Sequence, residues 1–303
     1  MQNIAVIFHP SKISLEKITA AFAKAGFPKL NFYPTDAATG GLAITKKAIE
    51  SGANHIIVAG GDGTVRACVQ AVFEEDAPVT LGLVPIGTGN ILARNLKLPI
   101  THLDRCIRRA VIGDAYEIDL GVAKAINLQG DLTKLYFTGI AGIGMDARIM
   151  QRTQPELKRR VGWIAYIEGG FRSLPLKFEK FDVLVDDLTP KSLKSYSILI
   201  GNAGWLPGQI SMMPDARLDD GKLDVAAIGP AEVFDRPFDH PGLRRDGAGL
   251  QLVIACGQLA SLGPSRTDRP GQRKGLAPAH ALSLSSMRLP LLSRPVNRQG
   301  PWG

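Results

Sequence analysis

Two short stretches hold most of the chemistry that the residue types allow. The first, Gly60-Gly61-Asp62-Gly63-Thr64, ends the apolar run Ile56-Ile57-Val58-Ala59. The second, Pro85-Ile86-Gly87-Thr88-Gly89-Asn90, ends the run Gly82-Leu83-Val84. Glycines at such points let the backbone turn sharply and approach a ligand closely. N–H groups bared in the turn, beside a helix start, favour phosphate oxygens. Two such units close together point to one polyphosphate held between two loops. Taken singly, each is also an ordinary tight turn of an α/β sheet. Asp62 has two roles open to it: holding a Mg²⁺ that accompanies phosphates, or capping the helix that begins after it.

Together the two stretches resemble the signatures of the lipid kinases that include bacterial diacylglycerol kinases and sphingosine kinases. Gly60 to Thr64 is similar to the family's Gly-Gly-Asp-Gly-Thr. Pro85 to Asn90 is similar to its Pro-x-Gly-Thr-x-Asn and runs on into Ile91-Leu92-Ala93-Arg94-Asn95-Leu96. NAD kinases and phosphofructokinases share the first signature only. The resemblance implies ATP and Mg²⁺ as cofactors and a lipid hydroxyl, of diacylglycerol or a sphingoid-like base, as acceptor. It assigns nucleotide contacts to Thr35, Gly60, Gly61, Asp62, Gly63, Thr64, Val65, Arg66, Gly87, Thr88 and Asn90. Two departures stand out. His9-Pro10-Ser11-Lys12 replaces the family's Asn-Pro-x-x-Gly loop, and by itself His9 reads as a strand-end surface histidine. Arg66-Ala67 stands where many members carry Asn-Glu, a variant associated with actinobacterial members.

Further segments resemble the same family: Gly139-Ile140-Ala141-Gly142-Ile143-Gly144-Met145-Asp146-Ala147, the helix-like stretch from Lys158 to Tyr166, Gly201-Asn202, and Met213 to Val225. In the family the last of these binds a structural Mg²⁺. Carried over, the ligands are the Asp220 carboxylate and the carbonyls of Arg217 and Lys222, a hard oxygen set. The residues alone equally allow an acidic β-turn with Gly221 in the left-handed position. The family's late Asp-Gly-Glu, whose acid serves as general base, is absent; Asp246-Gly247 is followed by Ala. No catalytic residue is therefore assigned, and the resemblance covers about residues 1–235. A non-catalytic nucleotide- or lipid-binding member of the same fold, or an NAD kinase-like enzyme, is the alternative.

Periodicity supplies the framework that carries these residues. Residues 1–114 alternate strands (Ile4–Phe8, Leu30–Tyr33, and the two signature strands) with helices (Leu15–Ala25, Leu42–Ser51, about Val65–Phe73, Leu103–Ile112). That predicts an α/β fold with a mostly parallel sheet, helices on both faces and ligands at the carboxyl ends of strands; the resemblance implies that this sheet is Rossmann-like, of the NAD kinase/phosphofructokinase kind. Residues 115–228 read as short strands, implying a mainly antiparallel β-sandwich domain with one helical insert near 156–174. The expected strands are Tyr116–Leu120, Leu135–Thr138, Phe181–Val185, Tyr196–Ile200 and Leu223–Ile228.

From 229 to 303 the composition changes. Nine of the 20 prolines lie here, with 9 Arg and 1 Lys. Strand patterning fades except at Leu250–Cys256, and the stretch reads as a disordered tail. A shifted reading frame explains the change better than a natural linker.

The net charge of +8 divides unevenly: residues 229–303 carry 10 Lys and Arg against 5 Asp and Glu. The body is only mildly basic, so no nucleic-acid partner is expected. Lys158-Arg159-Arg160, beside Trp163 and Tyr166, reads as a solvated helix face or as a contact for an anionic membrane. No apolar stretch approaches the length of about 18 residues needed to span a bilayer. The start lacks a basic leader, and the three cysteines form no framework. A cytoplasmic protein is expected, with peripheral contact at the inner membrane face, and a homodimer is compatible with this composition.

Overall fold

The computed structural model describes residues 3–36, 40–126, 132–144, 178–185, 191–229, 252–256 and 281–294. The first half runs β1 (Ile4–Phe8), α1 (Leu15–Lys24), β2 (Asn31–Pro34), α2 (Leu42–Glu50), β3 (His55–Gly60), α3 (Asp62–Glu74), β4 (Thr80–Pro85), α4 (Ile91–Asn95) and α5 (Leu103–Ile112). In the second half the described elements are strands: β5 (Asp114–Ile126), β6 (Leu132–Phe137), β7 (Ile140–Gly144), β8 (Glu179–Val185), β9 (Lys191–Ser195), β10 (Ser197–Gly201), β11 (Trp205–Leu206), β12 (Ile210–Ser211), β13 (Asp224–Ile228), β14 (Leu252–Cys256) and β15 (Ala281–Arg294). A mixed α/β fold, with a parallel sheet first and antiparallel sheets after it, is what the sequence pattern predicts.

The parallel part has the order β2-β1-β3-β4. Strand order reverses between β1 and β3, where open α/β sheets leave a crevice. β3 is buried along its whole length and β4 along most of it, which is why both read as continuous apolar runs. Helices cover both faces. Ile18 and Phe22 of α1 and Ile107, Ala110 and Val111 of α5 pack on Val6, Phe8, Ile57 and Val84. Ala48 of α2 and Val65, Cys68, Val69 and Val72 of α3 pack on Ala5, Ile7, Ile56, Val58 and Leu83. Alternate residues of each strand serve opposite faces. The Ser14 hydroxyl starts α1 by accepting the Lys17 N–H.

The sheet does not stop at β4. β15 pairs with β4 in parallel at Leu291 and Leu292, and antiparallel with β5 from Leu282 to Arg294. β14, β8 and β9 continue from it. A separate antiparallel sheet, β13-β10-β7, packs through Ile198 and Ile200 against Phe137, Phe181 and Val183. β14 and β15 both fall in the stretch read as a tail. The sequence marked the first, while β15 is an element it missed. The helical insert near 156–174, Trp163, Tyr166 and the Lys158-Arg159-Arg160 cluster lie outside the described residues.

One buried group gives the fold an acid sensitivity. His55 is 1% exposed; its Nε2 lies 2.8 Å from the Ala110 carbonyl and its Nδ1 has no partner. Burial pushes its imidazole below the ordinary range. The unfolded chain therefore takes up a proton near the usual imidazole value while native His55 does not. Its share of stability is present above that range and is lost as pH falls, with a limiting slope of about 1.4 kcal/mol per pH unit. Urea midpoints measured from pH 8 to pH 5 should fall in the parent and fall less in His55→Gln.

Candidate functional site

The two glycine-rich loops sit side by side at the carboxyl ends of β3 and β4. The Ile86 N–H donates to the Gly60 carbonyl at 3.0 Å. Past that point Gly61 and Gly87 meet backbone to backbone. A Cβ on Gly87 would lie 2.6 Å from the Gly61 Cα, and one on Gly61 3.3 Å from the Gly87 Cα. Gly60 is required for another reason: its Cβ would lie 2.6 Å from that of Thr64. These glycines are present for closeness of approach, since Gly61 has φ −97°, open to any residue.

α3 begins earlier than its periodicity suggests, with Gly61 as N-cap and Asp62, Gly63 and Thr64 in the first turn. The Val65 N–H donates to Gly61 O and is the first intrahelical bond. The N–H groups of Asp62, Gly63 and Thr64 precede it, and no side chain caps them. A Cβ on Gly63 meets nothing within 4 Å. An uncapped helix start beside open space is the arrangement that receives an anion.

Asp62 does not cap the helix that begins at its own position. Its Oδ2 accepts the Asn90 N–H at 2.7 Å and its Oδ1 the Ile91 N–H at 2.6 Å. It caps α4, across the gap between the loops, and leaves α3 uncapped. Charge-assisted bonds of this kind are worth about 1.5–3 kcal/mol each.

Asn90, in the left-handed region at φ +50°, closes its own loop: Oδ1 accepts the Gly87 N–H at 3.0 Å and Nδ2 donates to Gly87 O at 2.7 Å. Arg94 Nε donates to Gly89 O at 2.7 Å. Thr88 stands at the tip of this loop, exposed to solvent.

The remaining expected contacts separate clearly. Thr35 comes directly after β2 and is 5% exposed, yet its hydroxyl has no partner. Gly41 brings it near Thr64: a Cβ there would be 3.5 Å from Thr35 Cγ2 and 3.7 Å from Thr64 Cγ2. A buried hydroxyl without a partner is costly unless something supplies one. Val65 is buried in the core beside the loops. Arg66 is exposed and donates through Nη1 to Gln70 at 2.9 Å. His9 is turned onto its own loop, where Nδ1 accepts the Ser11 N–H at 3.3 Å.

The Asp-Asp-Gly loop is positioned by a residue the sequence reading missed. Asp119, 1% exposed on β5, accepts the Gly221 N–H through Oδ2 at 2.6 Å, and its own N–H donates to Leu218 O. Asn202 Nδ2 donates to the Asp119 carbonyl at 2.7 Å. An acid between Ile118 and Leu120 of an apolar strand was the available signal. Gly221 has φ +74°, as its turn requires.

Asp220 Oδ1 accepts the Lys222 N–H at 3.1 Å, and Arg217 pairs with Asp219 at 3.3 Å. Burial, then the carboxylates of Asp220 and Asp215, hold the Asp224 carboxyl above its usual range. Among the described residues, no group of three His, Cys, Asp or Glu is arranged to hold a metal. The expected set of one carboxylate and two carbonyls is a different kind of site.

A Rossmann-like sheet with paired glycine loops at its carboxyl edge, followed by antiparallel sheets, places the protein among kinases of the NAD kinase and diacylglycerol kinase fold class. The model of the diacylglycerol kinase catalytic domain matches residues 9–123, and that of the YegS C-terminal NAD kinase beta sandwich-like domain matches residues 139–235. The chain belongs to this family of diacylglycerol and YegS-like lipid kinases. It is 28% identical over 237 residues to a diacylglycerol kinase of Staphylococcus carnosus, covering 76% of this chain and 74% of that protein. It is 27% identical over 243 residues to a diacylglycerol kinase of Bacillus subtilis, covering 78% and 76%. The crystal structure of a diacylglycerol kinase from Bacillus anthracis superposes with a TM-score of 0.65 at 20% identity, over 97% of this chain and 98% of that one, a likeness of fold.

Proposed function

We propose that this chain binds ATP with Mg²⁺ and is built to transfer the γ-phosphoryl group to a lipid hydroxyl, of diacylglycerol or a sphingoid-like base. The observation that carries this is the pair of loops meeting at Gly61 and Gly87 beside the uncapped first turn of α3. In the proposed reaction the acceptor oxygen bonds to phosphorus, the bond to the β-phosphate oxygen breaks, ADP leaves, and the hydroxyl proton passes to a base. The chain supplies the phosphate cradle: the N–H groups of Asp62, Gly63 and Thr64, the Thr88 hydroxyl and the unpartnered Thr35 hydroxyl. Mg²⁺ neutralises phosphate charge when bound.

The missing Asp-Gly-Glu supports a second reading, a nucleotide- and lipid-binding member with little or no catalysis. Radiolabelled ATP offered with micellar diacylglycerol, and separately with NAD, decides between them. Label in the lipid supports the first reading. Binding of ATP with no label in either supports the second. Label in NAD overturns both in favour of an NAD kinase-like activity. Among the described residues no helix is long and apolar enough to cross a membrane. We place the protein in the cytoplasm, meeting its lipid peripherally at the inner membrane face.

For Asp220, with the carbonyls of Arg217 and Lys222, the proposed ligand is a structural Mg²⁺. A cation bound only by the folded state raises the melting temperature by mass action. Millimolar Mg²⁺ should raise it in the parent and not in Asp220→Ala. A parent indifferent to Mg²⁺ has no such site.

A further inference from the structure

α4 is held at its two ends by different parts of the molecule. At its start, the Asn90 and Ile91 N–H groups end on the Asp62 carboxylate. At its end, the Asn95 side chain makes two opposed bonds with one residue 110 positions away. Nδ2 donates to the Trp205 carbonyl at 2.8 Å, and Oδ1 accepts the Trp205 N–H at 3.1 Å. Nδ2 also donates to Ile91 O at 2.9 Å, which ties the amide into its own helix. This is the pairing of two strands, supplied on one side by a side chain. Trp205 opens the β11–β12 hairpin of the β-rich half. The Ile91 side chain also faces that half: a Cβ on Gly139 would lie 3.3 Å from Ile91 Cγ2.

We propose that α4 is the strut that sets the β-rich half relative to the glycine-rich loops, with Asn95 as the positioning residue that carries nucleotide occupancy of the loops to β11–β12. The inference rests on the reading that the loops hold ATP. A five-residue helix is about 7.5 Å long and too short to bend. With both ends bonded, phosphate that shifts Gly87–Asn90 must shift Trp205 as well or break the Asn95 bonds. Those bonds lie at a partly exposed place, where water can replace them. Removing Asn95 therefore costs little stability and removes the connection, which a merely structural role would not do.

Amide hydrogen exchange of the full chain, with and without ATP and Mg²⁺, tests this. In the parent, ATP should slow exchange at 60–64 and 86–92, and by about threefold or more at 205–211. In Asn95→Leu, protection at the loops should persist while 205–211 no longer responds. Asn95→Asp, nearly isosteric and keeping only the acceptor, should respond weakly; it decides the matter if Asn95→Leu melts too low. Loop protection without any response at 205–211 in the parent overturns the proposal. So does a full response in both variants. No protection at the loops overturns the proposal together with the nucleotide reading beneath it.

Discussion

Gly63→Val should leave the melting temperature nearly unchanged and remove ATP binding, whereas Gly87→Val should remove both stability and binding. The two glycines differ in their surroundings. A Cβ on Gly63 meets open space, and the position lies in the first turn of α3. Replacing glycine in a helix by valine changes propensity by at most about 0.5 kcal/mol, in the favourable direction. The branched side chain would occupy the space that phosphate oxygens need to reach the N–H groups of Asp62, Gly63 and Thr64.

Gly87 has no such room, with the Gly61 Cα at 2.6 Å and Asn90 Oδ1 at 2.7 Å from its Cβ position. Valine there forces the loops apart, breaks the Asn90 closure, and loosens the Asp62 cap on α4. Overpacking alone costs about 1–3 kcal/mol, and the lost bonds add to it. Calorimetric titration with ATP and Mg²⁺, beside thermal melts, measures both effects. Unchanged ATP affinity in Gly63→Val would remove the phosphate from the α3 N-terminus.

The parallel half was legible because β1, β3 and β4 are buried along most or all of their length and its helices pack one face. Ile4–Phe8 and the two signature strands read as continuous apolar runs, and Leu103–Ile112 shows a helical period. The elements that escaped the sequence reading depend on partners far along the chain. α4 is five residues long, too short for a helical period, and its cap is Asp62, 28 residues before Asn90. The start of α3 was placed too late because Gly61, Asp62 and Gly63 read as a turn until the Val65 to Gly61 bond shows where the helix begins. β15 contains Pro290 and lies beyond a Pro- and Arg-rich stretch; it becomes a strand by pairing with β5, β4 and β14.

Within the site, the glycines and threonines were legible because their types imply phosphate chemistry. Asn95 and Asp119 were not, because each acts on a backbone group 110 or 102 residues away. The same cause hid the bonds by which Asp62 and Asn90 hold the loops in shape.

Phosphate transfer by this chain should be slow even where ATP binds well. The cradle depends on β3, β4 and α3, all formed from residues before 90, and its donors all lie outside the atypical stretch 229–303. The proton of the acceptor hydroxyl is a separate matter. No Asp-Gly-Glu occurs in the sequence, and the Asp-Gly that comes late in the chain, Asp246-Gly247, is followed by Ala248. A positioned general base contributes about 10²–10⁴ in rate. Its loss should reduce turnover from the usual kinase range of about 1–100 s⁻¹ by that factor, while ATP affinity stays intact. Initial rates of label transfer to diacylglycerol in mixed micelles, measured from pH 6 to pH 9, give the magnitude and a second signature. Without a base the rate should climb with hydroxide and show no plateau. Turnover within the usual range, levelling above an acidic pKa, would show that another carboxylate accepts the proton. Asp246→Asn is then the first variant to make, and loss of that plateau would identify it.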